Sequence, residues 1–170
     1  MSRPEPDMRF HSIGHVPVDV LRYAGIKVLL FDVDNTCALR KFGCLTNEAI
    51  DLIMKAKAAG MTVVLVSNVV SSKRRIERVR KMAYDNDVAF VCATFPRLKP
   101  HPAPYQEAMS LADAKPNEAC MIGDQLFTDV KGAKRLGMMA ILVDPLGSDH
   151  LVTTPRRLLQ NLALRKVAYT

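Results

Sequence analysis

Residues 28–34 read Val-Leu-Leu-Phe-Asp-Val-Asp, an apolar run that stops abruptly at two carboxylates one residue apart. Nothing else in the chain constrains its fold as strongly. Consecutive apolar residues bounded by Gly25 and Asp32 suit a strand covered on both faces, as in a parallel sheet. Open parallel sheets gather ligands beyond the carboxyl ends of their strands, which is where Asp32 falls. Two acids placed there, Asp32 and Asp34, repel each other and resist joint ionisation. A hard divalent cation relieves that repulsion, and an all-oxygen ligand set favours Mg²⁺. Taken alone, residues 32–36 also suit a plain turn rich in Asp and Asn.

The pattern recurs along the chain. Apolar runs at 26–31, 61–66, 88–93, 119–122 and 139–143 are expected to be strands. Three of them stop at Asp32, at Ser67-Asn68 and at Gly123-Asp124. Between them, helical spacing covers 17–23, 46–59, 72–84, 105–111 and 127–136, with Thr46 as a cap and Gly60 and Gly137 as stops. A last helix is expected over 155–168, capped by Thr154 and opened by Pro155. No two strands are joined by a hairpin signal. The chain is therefore expected to be α/β, with a parallel five-stranded sheet and helices on both faces. Residues 1–15 carry Pro, acidic residues and His, and are expected to form a flexible N-terminal arm ahead of a single domain over 16–170.

Composition narrows the function classes. A chain of 170 residues can bury one sizeable core. No apolar run approaches the ~18 residues of a membrane helix, so no transmembrane segment is expected. The N-terminus lacks the apolar stretch of a secretory signal, which points to a cytoplasmic location. Cys37, Cys44, Cys92 and Cys120 form no CxxC pair; Cys37 and Cys44 flank one loop, where a reducing compartment disfavours a disulfide. The net charge of +7 suits an anionic partner or substrate. Arg74, Arg78 and Lys81 line one face of the 72–84 helix, and Arg156, Arg157, Arg165 and Lys166 lie in the last one. These basic helices suit an anionic membrane surface or RNA, or plain solvation. The scattered Phe and Tyr residues make no base-stacking motif, which weakens RNA.

Chemistry concentrates at three strand ends: Asp32-x-Asp34-x-Thr36, Ser67-Asn68, and Gly123-Asp124 with Asp129. Lys99 lies in the loop before the fourth expected strand. In a parallel sheet these ends share one edge. Carboxylates, a hydroxyl and an ammonium gathered there suit phosphoryl transfer. A cation and a lysine neutralise phosphoryl oxygens, and a carboxylate can attack phosphorus.

The ordered set resembles the four motifs of haloacid dehalogenase (HAD) superfamily phosphatases: Asp32/Asp34/Thr36, Ser67, Lys99, and Asp124 with Asp129. Gly25-Ile26, Val66-Ser67-Asn68, Lys99-Pro100 and the stretch from Gly123 to Asp129 are similar to the YqeG-like branch, subfamily IIIA. The resemblance implies a HAD-like Rossmannoid three-layer sandwich and a phosphomonoester hydrolase. By it, Asp32 is the nucleophile that forms an aspartyl-phosphate, and Asp34 is the general acid and later the base. Ser67 and the Asn68 backbone N–H hold phosphoryl oxygens, and Lys99 balances charge. Asp32, the Asp34 carbonyl and Asp124 hold Mg²⁺, with Asp129 and Thr36 in support. Cys37 stands where many relatives have leucine and is expected to make its loop oxidation-sensitive.

Relatives that process small substrates insert a cap domain after the first motif or between the second and third. Residues 37–45 and 69–98 leave no room for one. An open site suits a phosphoprotein, a phosphorylated polymer or a phospholipid. Phosphatidylglycerophosphate (PGP) is a candidate because some YqeG-like relatives act on it. An oligomer whose neighbouring subunit covers the site is the alternative for a small substrate. Two rival functions remain. A receiver-type phosphoacceptor needs an acid after its third strand, but that strand ends at Ala93-Thr94. A basic RNA- or membrane-binding module on the same scaffold, with little catalysis, has no use for the complete motif set.

Overall fold

The computed structural model describes residues 4–147, 160 and 168–170. The five expected strands all form: β2 (Val28–Asp32), β3 (Thr62–Asn68), β4 (Ala89–Ala93), β5 (Ala119–Gly123) and β6 (Met139–Val143). The sheet nevertheless has six strands rather than five. The addition is β1 (Met8–Phe10), inside the stretch expected to be a loose arm. β1 lies parallel to β6 at one edge, with Phe10 opposite Val143. Asp7 anchors it, its N–H donating to the Ala140 carbonyl at 2.8 Å while its carboxylate accepts from the Ala140 N–H at 2.8 Å. Phe10 and Ile13 are buried.

All pairings are parallel, in the order β1-β6-β5-β2-β3-β4. β2 is central, so its five residues are buried on both faces, as the unbroken apolar run requires. Alternate residues feed two cores. Leu29, Phe31, Val63 and Leu65 pack against Leu21, Leu52, Ile53, Val79 and Met82 on one face. Those helix residues belong to α1 (Val18–Tyr23), α2 (Asn47–Ala58) and α3 (Lys73–Asp85). Val28, Leu30, Val64 and Met121 pack on the opposite face, against Tyr105, Ala108 and Met109 of α4 (Ala103–Leu111) and Ala133 of α5 (Lys131–Arg135). Each fully buried Leu, Ile or Phe stabilises this three-layer arrangement by about 1.5–3 kcal/mol. α2 starts as expected, the Thr46 hydroxyl accepting from the Ala49 N–H at 3.3 Å.

The helix expected over 127–136 begins differently. Leu126–Val130 forms a π-helical turn that continues directly into α5. The helix expected over 155–168 lies outside the described residues apart from Gln160, which is helical, and Ala168, which is not; Arg156, Arg157, Arg165 and Lys166 lie outside them too. No cap is inserted among the described residues: β3 and β4 are joined through α3, and β4 and β5 through α4.

Candidate active site

The central strand delivers Asp32 to the carboxyl edge of the sheet, flanked by β3 carrying Ser67 and Asn68 and by β5 running into Asp124. After Asp34 the chain reverses on Asn35, whose φ of +66° is the left-handed conformation that Asn tolerates better than most residues. The Asn35 N–H donates to the Ala38 carbonyl at 2.8 Å, and the Ala38 N–H to the Val33 carbonyl at 2.9 Å. This turn brings the buried Thr36 hydroxyl within 3.3 Å of Asp32 Oδ2 and 3.3 Å of Asp124 Oδ1. One proton can serve only one of the two at a time.

Asp32, Asp124 and Asp129 are all buried, and one carboxylate oxygen from each lies within 4.8 Å of the other two. Lys99 supplies an ammonium among them. Its Nζ is 2.5 Å from Asp32 Oδ1, 2.8 Å from Asp129 Oδ1 and 3.0 Å from the Val66 carbonyl. Burial alone would push the lysine pKa down; the Asp129 and Asp32 carboxylates outweigh it and hold the ammonium charged. Burial pushes the Asp32 carboxyl well above the usual range, Lys99 opposes that shift, and Asp129 and Asp124 add to it. Asp129 Oδ1 pairs ionically with Lys99 but has no hydrogen-bond partner among the described residues. One ammonium among three buried carboxylates leaves negative charge uncompensated. The oxygen-only cluster therefore fits a divalent cation.

Glycine matters at Gly123. A Cβ there would collide with the Asp129 carboxylate, so only glycine lets this acid turn back over the end of β5. The Gln125 N–H holds Asp129 from the other side, donating to Oδ2 at 3.1 Å.

The residues singled out from the sequence converge at this edge, yet several contacts were not foreseen. The Asn68 side chain, as distinct from its backbone, clamps the lysine loop: its Oδ1 accepts from the Lys99 N–H at 2.9 Å and its Nδ2 donates to the Lys99 carbonyl at 3.4 Å. Arg78, expected on a solvated helix face, folds onto the first motif instead. Its Nη1 donates to Asp34 Oδ1 at 2.7 Å, its Nε to the Phe42 carbonyl at 2.7 Å and its Nη2 to the Leu39 carbonyl at 2.9 Å. Gln160 is buried against the fourth motif. Its Nε2 donates to the Asp124 carbonyl at 2.9 Å, and its Oε1 accepts from the Leu126 N–H at 2.9 Å. Tyr105 donates to the Thr128 carbonyl at 2.8 Å beneath the π turn. Cys37 is fully buried, and burial followed by the nearby Asp32 charge pushes its thiol well above the ordinary range. A buried thiol held in its protonated form is inert, which corrects the expectation of an oxidation-sensitive loop. Cys44 is exposed, and both thiols are free.

The chain matches the sequence profile of the family described as mitochondrial PGP phosphatase over residues 2–146. It is 30% identical over 149 residues to the probable phosphatase YqeG of Bacillus subtilis strain 168, a match spanning 87% of this chain and 82% of that protein. Among solved structures, it resembles CbbY from Rhodobacter sphaeroides in complex with phosphate, with a TM-score of 0.57 and 17% identity over 74% of this chain and 89% of that one. It also resembles a haloacid dehalogenase-like hydrolase from Brucella suis 1330, with a TM-score of 0.53 and 14% identity over 80% of this chain and 98% of that one. At such identities the two structures speak to the fold alone.

Proposed function

The chain belongs to the family described as mitochondrial PGP phosphatase, as a YqeG-like HAD phosphatase, and on that premise we propose that it removes the terminal phosphate of a lipid phosphomonoester such as phosphatidylglycerophosphate. One observation carries the chemistry: the buried Lys99–Asp32 pair at 2.5 Å, set among the carboxylates of Asp124 and Asp129. The absence of a cap insertion among the described residues supports a large or membrane-held substrate. No described helix is long and apolar enough to cross a membrane.

Asp32 Oδ2 would attack phosphorus in line, breaking the bond to the ester oxygen and forming an aspartyl-phosphate. Asp34 would hand its proton to the departing alkoxide and then take one from the water that hydrolyses the intermediate. The Ser67 hydroxyl and the Asn68 N–H would hold phosphoryl oxygens, and Lys99 would balance the charge on Asp32 and the phosphoryl group. Asp32, Asp124 and the Asp34 carbonyl would hold Mg²⁺, with Asp129 and Thr36 keeping the carboxylates in place. The cation would neutralise phosphoryl oxygens.

Purified protein with Mg²⁺ is expected to release phosphate from phosphatidylglycerophosphate in mixed micelles, and to lose that activity in EDTA. It is expected to act poorly on soluble sugar phosphates and nucleotides. A demonstrated monomer that processed one of these at ~10⁶ M⁻¹s⁻¹ or above would overturn the open-site account.

Asp34→Asn separates the two leading acids. The carbonyl survives the change, but the side chain can no longer donate a proton to the leaving group. An alkyl phosphate is expected to lose about 10²–10⁴-fold in kcat/KM. Nitrophenyl phosphate should lose clearly less, because nitrophenolate departs as a stable anion. Equal losses on both esters would remove the general-acid role.

A further inference from the structure

We propose that the loops rimming the site dock on an anionic bilayer, inserting Phe42, Val70 and Phe95 among its lipids. The inference rests on the lipid-phosphatase reading and adds the surface by which the enzyme would meet the lipid.

Three neighbouring strands, β2, β3 and β4, send their chains out at the carboxyl edge, and each following loop exposes one large apolar side chain. Phe42 is 56% exposed, Val70 57% and Phe95 75%. Large exposed apolar residues elsewhere sit otherwise. Tyr23, Tyr84 and Leu111 lie at helix ends on the opposite edge, while Val20 and Met54 lie along helices. Tyr169 is stacked on His11 and hydrogen-bonded to Asp144 at 2.8 Å.

The three rim loops are pinned, not loose. Arg78 holds the Phe42 carbonyl at 2.7 Å. The Val69 N–H donates to the Ala93 carbonyl at 2.9 Å, tying the β3 loop to the β4 loop. The Arg97 N–H closes the Phe95 turn on the Thr94 carbonyl at 2.8 Å. Val70 also adopts a φ of +47°, which a β-branched residue avoids unless its surroundings enforce it. The fold thus holds these apolar groups toward solvent on the side where the substrate must arrive.

Charge says what covers them. Residues 40–46, 69–75 and 94–98 contain Arg40, Lys41, Lys73, Arg74, Arg75 and Arg97 and no acidic residue. All of these cations are exposed, and none has an ion-pair partner among the described residues. Lys73, Arg74 and Arg75 occupy the first turn of α3, where no acid is present and the helix dipole disfavours cations. A surrounding negative field reverses that cost. Apolar side chains interleaved with lysine and arginine match the headgroup and upper acyl zone of an anionic leaflet. A nucleic acid would use the cations but leave the apolar groups in water.

The test is co-sedimentation of the full chain with phosphatidylcholine vesicles, with and without phosphatidylglycerol. Hydrolysis of a soluble aryl phosphate is measured in parallel. Wild type is expected to bind only the anionic vesicles, and less as salt rises. Phe42→Ser/Phe95→Ser and Arg74→Glu/Arg75→Glu are each expected to weaken that binding about tenfold or more while keeping aryl phosphatase activity. Absent or charge-independent vesicle binding would overturn the proposal. So would unchanged binding in the phenylalanine variant, or preference for a single-stranded RNA competitor. If aryl phosphate is untouched while vesicle binding behaves as expected, docking stands and the phosphatase reading fails.

Discussion

Asp32→Asn is expected to leave a folded protein that no longer turns over. The residue ends the central strand, and its side chain is buried against Lys99 and Thr36. An amide of the same shape keeps the packing. It also removes one charge from a group of three carboxylates that share one ammonium. The folded state without a cation should therefore be at least as stable as wild type. Catalysis should fall on the order of 10⁴-fold or more, because an amide is a poor nucleophile and a poor ligand, and the remaining groups cannot act alone. Steady-state hydrolysis of an aryl phosphate, with a urea melt beside it, reads both halves. Near-normal turnover would remove Asp32 from the chemistry, and an unfolded variant would mean that its charge holds the site together.

Lys99→Met should act in the opposite sense on stability. The ammonium lies between Asp32 and Asp129 with 4% of the residue exposed. Methionine fills the space but leaves the acidic cluster without its cation. Breaking a buried ion pair by removing one partner costs about 3–5 kcal/mol, because the other partner stays buried and uncompensated. Activity should drop by about 10²–10³-fold for loss of one charge-stabilising donor at the phosphoryl group. The diagnostic feature is rescue. A divalent cation at the same carboxylates should restore part of the lost stability, and restore more in the variant than in wild type. Denaturant midpoints with Mg²⁺ and with EDTA test this. Equal midpoints for both proteins in EDTA would mean that the cluster is already protonated, with no charge for Lys99 to offset.

Much of this site could be read along the chain because its groups sit where strands stop. Val28–Asp32 had to be central, since an unbroken apolar run leaves no face for water, and the acid that ends it then had to lie at the ligand edge. Ser67 and Asp124 follow from the same reasoning on β3 and β5. β1 escaped for the same physical reason. Three residues at a sheet edge, Met8-Arg9-Phe10 set between Asp7 and His11 in the chain, carry no run to recognise. The π turn at Leu126–Val130 keeps the apolar spacing of a helix, so periodicity alone cannot separate the two. Arg78 and Gln160 were beyond reach for a different reason. Arg78 lies 44 residues from Asp34, and Gln160 lies 36 from Asp124. Nothing local marks an arginine on a helix as the partner of a distant acid. The grip of the Asn68 side chain on the Lys99 loop was out of reach as well, because it depends on a pairing 31 residues away.

The central claim is that Asp32 itself carries the phosphoryl group, and acid-quenched peptide mapping tests it most directly. Asp34→Asn protein is mixed with nitrophenyl phosphate and Mg²⁺, quenched within the first turnover, digested and examined by mass spectrometry. Loss of the base that activates water should let the intermediate accumulate. The expected result is one phosphate, labile to hydroxylamine, on the peptide containing Asp32, and none when Asp32 is also changed to Asn. A phosphate found on another residue, or a peptide map without phosphate during steady turnover, would contradict it.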